Sequence, residues 1–462
     1  MALHNQHVSS HKIKNKRFHE LDALRAFAML LGIVIHAIFW AFLNEPEAMN
    51  NEHLHWVSSF IHGFRMPLFM LLSGFFMAML WRQRHLMAIL KNRFLRVLLP
   101  LIVFTPILFY ISILAWLPSP YFAMSKALSS NDEKQSFFNA ENINSKGMMG
   151  FTAIQLATLL NDKDSATWLL KQGANPNQSQ AGLLFTPSGE TALDIARFKG
   201  FTDIENVLVE AGGKAVSFNS DYKAPPLMQV DLSHLWFLWF LTLLIIGFVL
   251  IATILTHFPC KLPASWLVLS QVRYCWLVPL TLVFQSFMTK QWGPETFSSI
   301  FIPWYLLAYY AVFFSFGALY FQYRDNFGED TRHWWIELTI ATVALTSLGQ
   351  FLMSSEALPK LANDTVTVLF AWMMIFGLIG LFRQCLARFN PVVRYLSDSA
   401  YFLYIFHMPF LLFLSNFGLG VSLAIELKIF ISCLVSFTAL LAIYHCFVRY
   451  TWLGRWLNGP RE

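Results

Sequence analysis

Residues 20–43 read ELDALRAFAMLLGIVIHAIFWAFL, and past Arg25 the run carries no charge, only the imidazole of His36. About 20 apolar residues, at roughly 1.5 Å rise each, cross the hydrocarbon core of a bilayer, so this stretch reads as a transmembrane helix. The chain as a whole agrees: of 462 residues 56% are apolar, 16% aromatic and 13% charged, with a mean hydropathy of +0.50. An ordinary soluble domain is excluded. The polar, basic residues ahead of the run lead into it without a small-residue cleavage pattern, which reads as an uncleaved first span.

Working outward, similar stretches recur at about 57–80, 97–117, 233–256, 272–289, 301–322, 334–355, 365–382, 398–416 and 422–447. The expected fold is an all-α polytopic membrane protein of about ten transmembrane helices, with spans one to three in 1–117 and spans four to ten in 233–462. Basic loops alternate with loops nearly free of Lys and Arg. The basic set holds Lys12, Lys14, Lys16 and Arg17, then Arg82, Arg84, Lys91, Arg93 and Arg96, then Lys261 and Arg273, Arg324 and Arg332, Arg383, Arg388 and Arg394, and Arg449 with Arg455. The loops between them hold only Lys290 and Lys360. Positive charge stays on the cytoplasmic side, so both termini are expected there. The pI of about 9.0 therefore reports charges beside lipid, not a nucleic-acid surface. Five cysteines without C-x-x-C spacing encode neither a metal knuckle nor a disulfide framework.

The polar stretch 118–232 falls on the outer side by this alternation, and nine Lys and Arg against twelve Asp and Glu make it acidic. Gly150–Ala157 (GFTAIQLA) followed by Leu169–Asn177 (LLKQGANPN) resembles an ankyrin repeat, and Gly189–Ala196 (GETALDIA) followed by Val207–Gly213 (VLVEAGG) resembles a second. Thr152 to Thr191 and Gly173 to Gly212 are both 39 positions apart, near that family's 33 with an insertion. The units are placed at about 142–178 and 187–214, and Asn142-Ile143-Asn144 reads as the tail of a degenerate earlier copy. Two such units are fewer than the three or so that usually stand alone, so outer loops or a partner must cover their ends. The insert is either a docking surface for a periplasmic protein or a tolerated loop insertion.

Ionisable groups inside apolar spans are costly and usually face a polar interior. Arg25 and His36 are eleven residues apart, three helical turns plus about 20°, so they share one stripe with His36 about 16 Å deeper. Asp22, three residues before Arg25, can hold the guanidinium. His36 alone could be an imidazole bonded to a neighbouring carbonyl; its alignment with Arg25 favours function. Arg65, in His62-Gly-Phe-Arg65-Met-Pro67, lies inside span two, where it either lines an outward cavity or snorkels to the interface. Ser73-Gly74 suits a close helix crossing. Arg93 and Arg96 precede span three, where phosphate binding competes with plain positive-inside placement. His234-Leu-Trp236 opens span four, with Trp236 first of all an interfacial anchor. Tyr401, Tyr404 and His407 lie in span nine, and the two tyrosines also suit plain helix contact.

Together these residues resemble a known family. Arg25 with His36, Phe69–Phe75 as FMLLSGF, Arg93-x-x-Arg96-x-x-x-Pro100, His234-Leu-Trp-Phe-Leu, Tyr401-x-x-Tyr404-x-x-His407-x-Pro409 and Leu453-Gly454-x-x-Leu457-Asn458-Gly459 are similar, in order, to the acyltransferase 3 family of polytopic membrane acyltransferases. Within it they look like the glucan biosynthesis protein C branch, credited with O-succinylating periplasmic glucans. The resemblance implies transfer of a short acyl group, acetyl or succinyl, from cytoplasmic acyl-CoA to a hydroxyl of an envelope carbohydrate, in a bacterial inner membrane. No metal or organic cofactor is implied, acyl-CoA being a co-substrate. Arg93, Arg96 and Ser73 would hold the donor. Neutral His36, with an ordinary pKa of about 6.5, would be the general base supported by Arg25 and Asp22; an acyl-histidine intermediate is the variant. His62, Arg65, His234, Trp236, Tyr401, Tyr404 and His407 would line the acceptor side. A transporter or flippase using His36, Arg65 and His407 as a pathway is the rival, against which hydropathy shows no two-fold internal similarity.

Overall fold

The computed structural model describes residues 18–44, 48, 51–116, 127–128, 131–139, 142–144, 151–178, 191–215, 232–258, 263–290, 292–323, 332–354, 360–418 and 423–458. The basic head and the charges Lys261 and Arg324 lie outside them, as do Gly150, Gly189, Glu190 and Gly459. The described residues form helices and no strand.

In chain order the membrane part begins with α1 (His19–Asn44) and α2 (Glu52–Gln83), the latter started by Asn51, whose side chain accepts from the Leu54 N–H at 3.2 Å. Next come α3 (Leu86–Arg93) and α4 (Leu99–Trp116), joined by a π-helical turn at Phe94–Leu98. The insert supplies α5 (Asn131–Phe137), α6 (Ala153–Leu159), α7 (Lys163–Lys171), α8 (Ala192–Lys199) and α9 (Thr202–Glu210). Then follow α10 (Trp236–His257), α11 (Ser265–Leu269), α12 (Arg273–Gln285), α13 (Trp304–Gln322), α14 (Trp334–Thr339) and α15 (Thr346–Ser354), the last two joined by a π-turn at Ile340–Leu345. The chain closes with α16 (Lys360–Leu386), α17 (Pro391–Gly418), α18 (Ile425–Ile443) and α19 (Trp452–Asn458).

Eight described helical segments are long and apolar enough to cross a membrane. The other two of the ten expected spans have shorter apolar helical runs among the described residues. α12 has 13 residues, about 20 Å of helix against a hydrocarbon core of about 30 Å. Across α14 and α15 the apolar run is Trp334–Gly349. A buried ion pair joins these two: Arg273 reaches Glu337 at 2.8 Å, Tyr274 donates to the same oxygen at 2.8 Å, and the guanidinium lies 3.6 Å from the Phe376 ring centre on α16. Arg273, read from sequence as a loop charge that orients the chain, is instead fully buried. Hydropathy cannot distinguish a loop arginine from one sheltered by a carboxylate and a ring.

α1 sits inside the bundle, against α2, α16, α17 and α18. α2 crosses α13 with the backbones touching. A Cβ on Gly74 would fall 1.8 Å from the Phe314 carbonyl oxygen, and one on Gly317 would fall 1.9 Å from that of Leu71. Small residues at such a crossing let dispersion replace the hydrophobic drive that lipid removes. Since backbone cannot rotate aside, Gly74→Ala should force α2 and α13 apart, at the upper end of the roughly 1–3 kcal/mol that overpacking costs. The thermal unfolding midpoint in detergent checks this, and an unchanged midpoint contradicts it.

In the insert the two 39-residue offsets become geometry. Thr152 caps α6 with Gln155, and Thr191 caps α8 with Asp194; the backbone N–H of each threonine donates to that side chain, at 2.8 and 2.9 Å. Gly173 and Gly212 end α7 and α9 at φ of 97° and 79°, the left-handed region that glycine adopts without strain. Asn177 donates to the Gly212 carbonyl at 3.1 Å and accepts from Lys214 N–H at 2.6 Å. Asn144 repeats this on Gly173 (3.2 Å) and Asn175 (2.7 Å). Asn144 thus makes before α6 the contacts that Asn177 makes before α8, and the buried Lys134 of α5 reaches Ser165 of α7 at 2.8 Å. Most buried apolar residues among the described ones of the insert form a cluster of their own, while Phe151, Ile195 and Leu232 join that of the membrane helices.

Candidate active site

The stripe on α1 faces α17. At one end Arg25 pairs with Asp22 at 3.2 Å and reaches Ser397 Oγ at 3.5 Å; that hydroxyl donates to the Asp22 carbonyl at 3.3 Å. Eleven residues on, the His36 ring centre lies 5.0 Å from that of His407, also on α17. Both pairs advance in the same chain direction, so α1 and α17 run parallel and share one polar face.

The end near Arg25 gathers cations. Arg93 lies within electrostatic reach of Arg96, Arg25 and Arg84, and its Nε is sealed from solvent with no acceptor among the described residues. The π-turn at Phe94–Leu98 carries this arrangement. Such a turn loosens the helix ladder and leaves carbonyls to be satisfied by other groups. Trp456 Nε1 donates to the Leu95 carbonyl and Tyr401 OH to that of Arg96, each at 2.8 Å. Tyr401, grouped from sequence with the acceptor side, thus braces the arginine turn, although its ring stacks on Tyr404 at 6.4 Å.

At the other end three imidazoles from three helical segments meet. His234 lies 5.1 Å from His407 and 6.5 Å from His36, centre to centre. The tautomers of His234 and His407 follow from their partners, because a carbonyl only accepts. His234 Nε2 donates to the Ile405 carbonyl at 2.9 Å. Pro409 has no N–H for that carbonyl, so the helix itself offers it to His234. His407 Nδ1 donates to the Tyr404 carbonyl at 2.7 Å, which leaves Nε2 as a buried acceptor without a partner among the described residues. His36 makes no hydrogen bond among the described residues and is partly exposed, whereas His407 is 2% exposed. Tyr404 OH donates to the His234 carbonyl at 2.8 Å. Ser233, just before His234, holds φ of 49°, a strained value for a residue with a Cβ.

Arg65 enters from α2 with its Nε sealed and unpartnered among the described residues; the imidazoles of His36 and His407 lie within its electrostatic reach. His62 is drawn instead to the loop after α12, its Nε2 bonded to the Pro294 carbonyl at 2.6 Å. Trp236 is a buried wall residue against Phe240 (4.9 Å) and Tyr310 (5.9 Å). Ser73 is partly buried beside Gly74 and makes no hydrogen bond among the described residues. Sequence reasoning passed over Gly32 and Trp456 and read Arg84 only as a basic-loop charge. Of the two missed residues only Gly32 had a signal, lying one turn before His36 on the same stripe.

A family model described as an acyltransferase domain matches residues 18–448. The chain belongs to the acyltransferase 3 family. It is also similar to Glucans biosynthesis protein C of Shigella dysenteriae serotype 1 (strain Sd197), 34% identical over 96 residues, which is 20% of this chain and 25% of the relative. The protein of that name from Escherichia coli (strain K12) shows the same identity and coverage. The match thus spans only about a quarter of these relatives' length. No solved structure matches. Within the family's matched stretch lie Arg25, His36, Arg65, Arg93, Arg96, His234 and His407; Trp456, which braces the π-turn, falls beyond it.

Proposed function

We propose that this protein is an integral-membrane O-acyltransferase that moves a short acyl group, acetyl or succinyl, from cytoplasmic acyl-CoA to a hydroxyl of a periplasmic or cell-envelope carbohydrate. The observation that carries the reading is the shared face of α1 and α17, with an arginine cluster at one end and the imidazoles at the other. Guanidinium forks suit phosphate oxygens, so Arg93, Arg96 and Arg25 hold the CoA phosphates and the pantetheine arm lies along that face. His36 is the base, because its partly exposed ring can meet an incoming hydroxyl while His407 is closed in. Its free nitrogen takes the hydroxyl proton as the oxygen attacks the thioester carbon. The tetrahedral intermediate then expels the CoA sulfur, which recovers that proton as CoASH, and the ester is left. The acceptor arrives past His62 and His234, with Arg65, Trp236 and Tyr404 shaping that side.

In this reading the protein sits in a bacterial inner membrane with both termini cytoplasmic and the insert periplasmic. The paired helices, their threonine caps and the asparagine stitches support an ankyrin-like reading of 118–232, with a periplasmic protein as its partner. Purified full-length protein in nanodiscs, given labelled acyl-CoA and an envelope glycan fraction, should release CoASH and label the glycan. Transport of acyl-CoA or glycan without any CoASH release would replace the enzyme by a transporter.

A further inference from the structure

We infer that the Arg65 guanidinium, seated in the gap left by Gly32, holds an anionic oxygen of the acyl unit during transfer; this rests on the acyl-transfer reading above. A Cβ on Gly32 would lie 2.5 Å from Arg65 Nη1 and 4.0 Å from His407 Nε2. The tip of the guanidinium therefore rests against α1 one turn from His36, where any other residue would push it away. No carboxylate faces it among the described residues: the groups within its electrostatic reach are His36, His62, His407 and the hydroxyls of Tyr404 and Tyr310. A cation kept inside a bundle without a counter-ion is costly, so its place is explained by negative charge that arrives with the ligand.

Two oxygens of the acyl unit supply that charge. One is the thioester carbonyl oxygen, which becomes an oxyanion when the acceptor attacks, and fixed donors stabilise such an oxygen most when water is excluded. The other is a carboxylate at the far end of a dicarboxylic acyl chain, which suits a guanidinium fork equally.

The test uses Gly32→Ala in the full chain. The added methyl meets only the end of a flexible side chain within 3.0 Å, so α1 keeps its place while the guanidinium moves. CoASH release is measured with acetyl-CoA, whose acyl group is neutral, and with succinyl-CoA, beside the thermal midpoint. If the oxyanion is held, kcat falls tenfold or more with both donors and KM stays put. If the carboxylate is held, the loss is confined to succinyl-CoA and appears in KM. Arg65→Ala should reproduce either pattern more strongly, by about 10²–10³ in the oxyanion case, and it carries the test if Gly32→Ala lowers the midpoint. Both variants working at the wild-type rate on both donors would overturn the inference while leaving the acyl-transfer reading intact. A wild-type protein that releases no CoASH from either donor would remove both.

Discussion

His36→Ala lowers acyl transfer by about 10²–10⁴-fold, the usual contribution of a positioned general base, and leaves membrane insertion and the thermal midpoint unchanged. The separation of activity from stability follows from the site. His36 has no hydrogen bond among the described residues and is partly exposed, so truncation leaves no polar group stranded and little cavity. His407 differs, since its Nδ1 holds the Tyr404 carbonyl at 2.7 Å and its loss disturbs α17. CoASH release and glycan labelling, measured beside a melting curve, check the prediction. A variant that folds and transfers at the full rate would transfer the role of base to another group.

The second large effect lies at the cationic end. Arg93→Gln raises the KM for acyl-CoA by about 10–100-fold and leaves kcat at saturation nearly unchanged. A charge-assisted hydrogen bond contributes about 1.5–3 kcal/mol, and each 1.4 kcal/mol is roughly tenfold in affinity. The same change raises the thermal midpoint of the ligand-free protein. Arg93 feels Arg96, Arg25 and Arg84 as like charges, and its Nε has no acceptor among the described residues; removing it relieves repulsion that only an anionic ligand offsets. A site that binds tightly at the expense of resting stability is the usual exchange between function and fold. An unchanged KM together with a lowered midpoint would make Arg93 a structural residue.

Much of this arrangement was legible before any coordinates. The stripe from Arg25 to His36 follows from helical periodicity alone, and the contacts of both residues with α17 are its three-dimensional form. Intramembrane imidazoles at 36 and 407 stand out because each is flanked closely by apolar residues of a long span. The insert's threonines and glycines announced their register through identical spacing. What stayed hidden depends on partners distant in sequence. Tyr401 and Tyr404 look equivalent on α17, yet one braces a carbonyl at Arg96 and the other a carbonyl at His234. The π-turn has no sequence signature, so the bonding of Trp456 to Leu95 could not be foreseen. Gly32 reads as an ordinary small residue until Arg65 arrives from another helix. Of the ten apolar stretches that hydropathy marks, eight correspond to described helices long and apolar enough to cross a membrane, while α12 has 13 residues and the apolar run across α14 and α15 ends at Gly349.

The central claim is that one polar face shared by α1 and α17 joins the arginine cluster to the imidazoles. A cryo-electron microscopy structure of the full chain with a non-hydrolysable acyl-CoA analogue tests it most directly. The account requires density for the nucleotide phosphates at Arg93, Arg96 and Arg25, and for the acyl carbonyl beside His36 with Arg65 at its oxygen. Analogue density on another face of the bundle, with His36 closed off from it, would contradict the account.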